Sequence, residues 1–120
     1  MLIALWIVNI LLALAFIYSG ITKVVRSRTE LQAKGMGYVE DLSDGAVTAI
    51  GVVEALGAVG LIVPLATGIV PILTPLAAVG LAATMLGASI VHIRRKESPV
   101  ASLVLLVAAI ASAALGFLTL

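Results

Sequence analysis

The chain contains no cysteine, and that absence removes several kinds of chemistry together. It excludes a disulfide framework, a thiol nucleophile, a CxxC redox centre and an iron–sulfur cluster held by thiolates. Four-helix membrane thiol oxidoreductases, which the size would suit, fall on the same ground, and so does anchoring through a lipidated cysteine. Charge is the second scarcity. Seven basic and six acidic residues make 11% of the 120 residues, against about 25% in a typical soluble domain. The net charge is +1, and the basic residues sit beside apolar runs, which is the pattern of topology signals and not of nucleic-acid binding. The chain also lacks HExxH, any His/Asp/Glu cluster at metal-ligand spacing, a P-loop and a dinucleotide fingerprint. With no haem-ligand pair and no flavin motif either, the sequence supplies no electron carrier and no covalent cofactor.

What is present is apolar. Hydrophobic residues make 62% of the chain, and the mean hydropathy is +1.29. The 13 charges fall at 23–44 and 94–97, with Glu54 standing apart; residues 1–22 and 98–120 carry none. A helix that crosses a bilayer needs about 20 consecutive apolar residues. The uncharged stretches therefore predict one span, then two, then one more. The expected fold class is an all-α membrane protein, with four transmembrane helices in an antiparallel bundle forming one domain over 1–120. Its expected place is an inner or plasma membrane of bacterial type, crossed several times.

The spans are expected at about 2–22, 46–66, 71–93 and 99–120. The N-terminal stretch MLIALWIVNILLALAFIYSG lacks a basic leader and exceeds a signal-peptide core, so it is expected to be retained as the first span. Lys23 is expected to end that span. Ser43 and Asp44 are candidate caps for the second, and Ser98-Pro99 has the form of a cap followed by a first-turn proline for the fourth. Segment 23–45 is expected in the cytoplasm or at the interface. Within it, Ser27, Thr29 and Glu30 suggest a capping box, and Leu31, Val39 and Leu42 fit the face of a short interfacial helix, though Gly35 and Gly37 weaken that pattern. All seven basic residues lie in the two charged connections, which places those connections inside and both termini outside. Trp6 and Phe117 then sit near the outer interface. Small residues at four-residue spacing, Gly51/Ala55 and then Gly80/Thr84/Ala88 and Ala83/Gly87, mark expected packing faces between helices.

Glu54 is the most informative position. An acid near the middle of a span costs roughly 2.5–3.5 kcal/mol on insertion scales before it finds a partner. Its helical neighbours Ile50, Gly51, Gly57 and Ala58 make a face of mostly small residues that should turn into the bundle. Two readings stay open at this point: a ligand, ion or proton site, or a protonated carboxyl that pins helices by hydrogen bonds. Depth counting offers Tyr18, Ser19, Thr84 and Ser89 as neighbours, and a Tyr18 hydroxyl bonded to Glu54 would satisfy both groups in a dry interior. His92 lies about 10 Å shallower, too far to pair directly. Lys23, Glu54 and His92 are nonetheless placed to line a cleft from the cytoplasmic surface to mid-membrane, which suits a polar head with an apolar tail. The expected ligand site therefore comprises Tyr18, Lys23, Glu54, Thr84, Ser89 and His92, between spans one, two and three. Asn9 is expected to bond across to Ser112 as structural glue.

These residues also carry a family resemblance. SGITK at 19–23, GVVEALGAVGLIVP at 51–64 and LTPLAAVGLAATMLGASIVHIRR at 73–95 resemble the DoxX-like family over about residues 12–97. The glutamate in span two and the histidine before a basic stop in span three are its most specific points. The resemblance implies a four-helix bundle and an association with quinone-linked oxidoreductases, hence quinone as the expected ligand. Its partners would be the lipid bilayer together with other membrane proteins or further copies of the chain. A non-catalytic assembly or chaperone-like bundle is the alternative. A small multidrug-type transporter ranks third, because such proteins place their glutamate in span one among several aromatics, whereas this span one has no acid and the chain has five aromatic residues.

Overall fold

The computed structural model describes residues 1–25 and 44–120. Four helices carry the fold: α1 (Leu2–Val25), α2 (Asp44–Thr67), α3 (Leu73–Arg94) and α4 (Val100–Thr119). Each is long and apolar enough to cross a membrane, and no strand occurs among the described residues. At 1.5 Å per residue a 24-residue helix spans about 36 Å, enough for a hydrocarbon core of about 30 Å. The helices pack in ring order, α1 on α2, α2 on α3, α3 on α4, with α4 closing back onto α1.

The packing inverts the polarity of a soluble bundle. Only 22–28% of each apolar window is buried inside the protein, so most of the large aliphatic side chains face outward, where lipid is as good a solvent as a core. The buried stripe of α1 runs Leu5, Asn9, Leu12, Phe16, Gly20, Lys23 at three-or-four spacing, with Thr22 buried beside its end. That of α2 runs Val47, Gly51, Glu54, Ala58, Leu61, Pro64, and that of α3 includes Thr74, Ala78, Leu81, Met85 and Ser89. Polar and small residues are thus gathered inside. Lipid-borne helices gain from close backbone approach and interhelical hydrogen bonds, not from hiding leucine.

Glycines set the distances. A Cβ on Gly20 would lie 2.6 Å from the Gly51 carbonyl oxygen, and one on Gly51 would lie 2.7 Å from the Gly20 carbonyl oxygen. The α1–α2 crossing is therefore backbone against backbone. Gly57 meets Leu81 and Gly60 meets Ala77 across α2–α3, while Gly116 meets Pro75 across α3–α4. The stripe expected on α3 behaves differently. A Cβ on Gly80 or Gly87 would meet nothing within 4 Å, so these two glycines do not pack against a neighbour, whereas Ala88 packs against the core.

Helix ends differ from expectation in instructive ways. α1 continues through Lys23 to Val25 because that lysine finds a partner inside the bundle. Asp44 already belongs to α2. α3 starts at Leu73, after a turn in which Gly68 and Val70 take positive φ (71° and 45°). Pro99, not Ser98, occupies the cap of α4, and the Ser98 hydroxyl accepts the Val100 N–H at 3.4 Å. The interfacial helix expected from Ser27 to Leu42, and the Ser43 cap, lie outside the described residues.

At the end remote from the charged connections, the Asn9 side chain ties three helices. Its amide donates to the Leu61 carbonyl at 2.9 Å, and its oxygen accepts from the Ser112 hydroxyl at 2.5 Å. The expected link between spans one and four is present, and α2 joins it.

The glycine contacts give a direct test. Gly51→Ala overpacks the α1–α2 crossing and is expected to destabilise by about 1–3 kcal/mol. Gly80→Ala meets open space, and losing a helix-interior glycine stabilises by roughly 0.5–1 kcal/mol. Detergent thermal melts should therefore move in opposite directions for the two variants.

Candidate functional site

The side-chain direction of a helix decides the central contact. Cβ atoms tilt toward a helix's own N-terminus. α1 and α2 are antiparallel, so Lys23, two residues from the end of α1, reaches back into the bundle. Glu54, about 15 Å along α2 at 1.5 Å per residue, leans toward the charged end. They meet: Lys23 Nζ donates to Glu54 Oε1 at 2.5 Å, with 6% and 1% of the two side chains exposed. Lys23 also donates to the Ser19 hydroxyl oxygen one turn earlier, at 2.6 Å. The Gly20–Gly51 crossing lies one turn away on both helices, and without it the backbones would stand too far apart for this geometry.

The pair forms the floor of a cavity of about 480 Å³ in the half of the bundle nearest the charged connections. Ser19 and Lys23 come from α1, Ile50 and Glu54 from α2. α3 supplies Ala83, Thr84, Ala88, Val91 and His92, and α4 supplies Ala101, Ser102 and Leu105. The walls are mostly aliphatic and the polar groups few and convergent, the form of a small-molecule site, for which 300–1,000 Å³ is the usual range. Gly87 also lines it, and the open space beside that glycine is thereby part of the cavity.

The polar wall groups are largely committed. Thr84 gives its hydrogen to the Gly80 carbonyl at 2.9 Å. The Ser89 and Ser102 hydroxyl oxygens lie 2.9 Å apart, with the Met85 and Pro99 carbonyls also in reach at 2.9 and 3.0 Å, and their two hydrogens serve two of these three contacts at a time. At the rim, the turn that follows α3 holds Lys96 in the left-handed region (φ 58°). That turn brings the Glu97 N–H onto the His92 carbonyl at 2.8 Å. The Glu97 carboxylate then lies 3.1 Å from His92 Nδ1 and 3.4 Å from Arg95 Nε. A carboxylate only accepts, so Nδ1 carries the hydrogen in this contact.

Of the six residues expected from sequence, Lys23, Glu54, Thr84 and His92 line one cavity. Ser89 lies just behind it, bonded to the lining residue Ser102. Tyr18 does not belong. Its side chain is 65% exposed on the lipid side, because α1's inward stripe runs through Phe16 and Gly20 and leaves position 18 on the opposite face. Only its carbonyl is engaged, by the Thr22 hydroxyl at 2.7 Å. Lys23 takes the place expected for Tyr18, and the contact is an ion pair in place of a protonated carboxyl held by a phenol. Sequence reasoning missed Ser102 and the whole contribution of α4. The signal was present: Ser102 lies 13 residues from Ser89 across a tight connection, at matching depth.

The model of the DoxX-like family matches residues 7–114, and the chain belongs to that family. It is a multi-pass integral membrane protein, with four apolar helices long enough to span. Neither a curated protein nor a solved structure matches the sequence.

A buried ion pair has an asymmetric mutational signature. Lys23→Met or Glu54→Gln alone leaves a buried charge uncompensated and is expected to destabilise by about 3–5 kcal/mol, while the double variant Lys23→Met/Glu54→Leu approaches or exceeds wild-type stability. Thermal unfolding in detergent reads this directly. A double variant whose loss equals the sum of the two single losses would show that the two groups do not form a pair.

Proposed function

We propose that this member of the DoxX-like family is a membrane subunit that holds a lipid-like molecule, a quinone or a close analogue, at the charged end of the bundle. The electron-transferring centre would lie on a partner protein. The carrying observation is the aliphatic cavity with the Lys23–Glu54 pair at its floor. Such a site needs a ligand whose tail is apolar and whose head accepts hydrogen bonds, and a ring carbonyl does so. The association with quinone-linked oxidoreductases that the resemblance implies points the same way. His92 and Glu97 at the rim would border the head's exit to water.

The same reading places the charged connections in the cytoplasm and both termini outside. Lys23, buried against Glu54, no longer counts as a topology signal. The six remaining basic residues, Arg26, Arg28, Lys34, Arg94, Arg95 and Lys96, still lie on one side with none on the other, which supports the assignment by the positive-inside rule. Cysteines placed at Ser98 and Thr119 in intact cells test it: an impermeant thiol reagent should label position 119 only. Labelling at 98 alone reverses the orientation.

Binding is tested with a decyl-substituted benzoquinone and the purified chain in nanodiscs. Saturating ligand at about 100 times its Kd should stabilise the folded protein by about 2.7 kcal/mol. The shift should vanish in Lys23→Met/Glu54→Leu, which keeps its fold. No shift in the wild type, or an equal one in the double variant, removes this function from the cavity. A stoichiometric protein partner recovered without any ligand would favour the assembly role.

A further inference from the structure

The hydrogen bonding of the cavity floor is incomplete on both sides of the ion pair. An ammonium group has three N–H donors. Lys23 uses one on Ser19 and one on Glu54 Oε1, and no described residue accepts the third. Glu54 has two carboxylate oxygens, and Oε1 takes the lysine. Oε2 has no donor among the described residues, although the residue is only 1% exposed and lines the cavity. Two unused donor hydrogens, the third of Lys23 and that of the Ser19 hydroxyl, therefore sit beside one unused acceptor, Oε2, in a half-bundle where an unpaired polar group is expensive.

The other wall groups do not compensate. Thr84 has given its hydrogen to Gly80, and the contact of His92 Nδ1 is to Glu97. Lys23, Ser19 and Glu54 therefore set what the head must present, and Oε2 is the acceptor among them that still needs a donor. A ketone or ether oxygen satisfies Lys23 but turns lone pairs toward the Oε2 lone pairs. A hydroxyl accepts from Lys23 and donates to Oε2 through one oxygen.

We infer that the cavity floor selects a hydroxyl-bearing head, of the phenol or hydroquinone class, over the same head bearing only carbonyl or ether oxygens. This inference rests on the reading of the cavity as a site for a lipid-like molecule and names the chemical form it prefers. Applied to a quinone couple, the reduced form binds more tightly than the oxidised one.

A redox-inert pair tests the preference without electron transfer. 4-Decylphenol and 4-decylanisole share tail and ring, and the anisole carries a methyl group in place of the donor hydrogen. Their affinities for the full chain in nanodiscs, corrected for partition into empty nanodiscs, are expected to differ about tenfold in favour of the phenol, which corresponds to about 1.4 kcal/mol. Glu54→Gln presents an amide N–H₂ in place of Oε2 and should reduce the ratio to about one or reverse it. Because that variant is strained, a second readout uses the wild type alone. The phenol should perturb a buried carboxylate band in the infrared difference spectrum, and the anisole should not. Equal affinities, or tighter binding of the anisole, overturn the inference while leaving the ligand site in place. If neither compound binds, the lipid-like ligand reading falls and this preference with it.

Discussion

The Lys23–Glu54 ion pair is the constraint around which the bundle is arranged. Two opposite charges inside an apolar assembly are each costly alone and tolerable only together. Their 2.5 Å contact demands a close α1–α2 crossing, and that crossing demands glycine at both 20 and 51. It also fixes register. A slip of one residue along either helix would turn a charge toward lipid. Where the remaining helices stand clear of the pair, the cavity begins. The glycines, the register and the open volume are consequences of one electrostatic requirement.

The two ends of the bundle divide the polar residues by task. Asn9, Ser112 and the Leu61 carbonyl close on one another at the end remote from the charged connections, and this cluster welds three helices. At the other end, Ser89 and Ser102 close the α3–α4 hairpin, while Lys23 and Glu54 meet without using all their bonding capacity. A satisfied network rigidifies, whereas an unsatisfied one in an accessible hollow invites a ligand. Thr74 Oγ1 and Thr119 Oγ1 at the remote end are also buried without a partner, so the proposed function follows the open volume beside Lys23 and Glu54 and not satisfaction alone.

Span count, span order and the inward turn of Glu54 were legible because charge is so scarce that its distribution maps the membrane. The partner of Glu54 was less legible. Lys23 reads as a boundary residue by its position beside a polar segment, and only the direction of a lysine side chain on an antiparallel neighbour shows that it reaches inward. Tyr18 was misplaced because depth along a helix was counted without rotation about it. The 3.6-residue phase from Asn9 and Phe16 puts Ser19 and Lys23 inside and Tyr18 outside. The role of Gly80 and Gly87 was hidden for another reason. Small residues look alike in sequence whether a neighbour fills the space above them or leaves it empty. The share of α4 in the cavity was hidden because its only polar lining residue is a serine, which many apolar helices carry.

The placement of the two charges along their helices also bears on how the chain enters a membrane. Lys23 lies two residues from the end of α1, so before α2 arrives its four-carbon stem lets the ammonium reach water at the interface. Glu54 lies ten residues inside α2, and its short side chain has no such escape. An α1 inserted alone is comfortable, and an α2 inserted alone is not. Synthesis delivers them in the favourable order: the first helix waits with its cation at the surface, and the second draws that cation inward as it enters. A chain rearranged so that α2 emerged first would meet the translocation machinery with its acid unmatched.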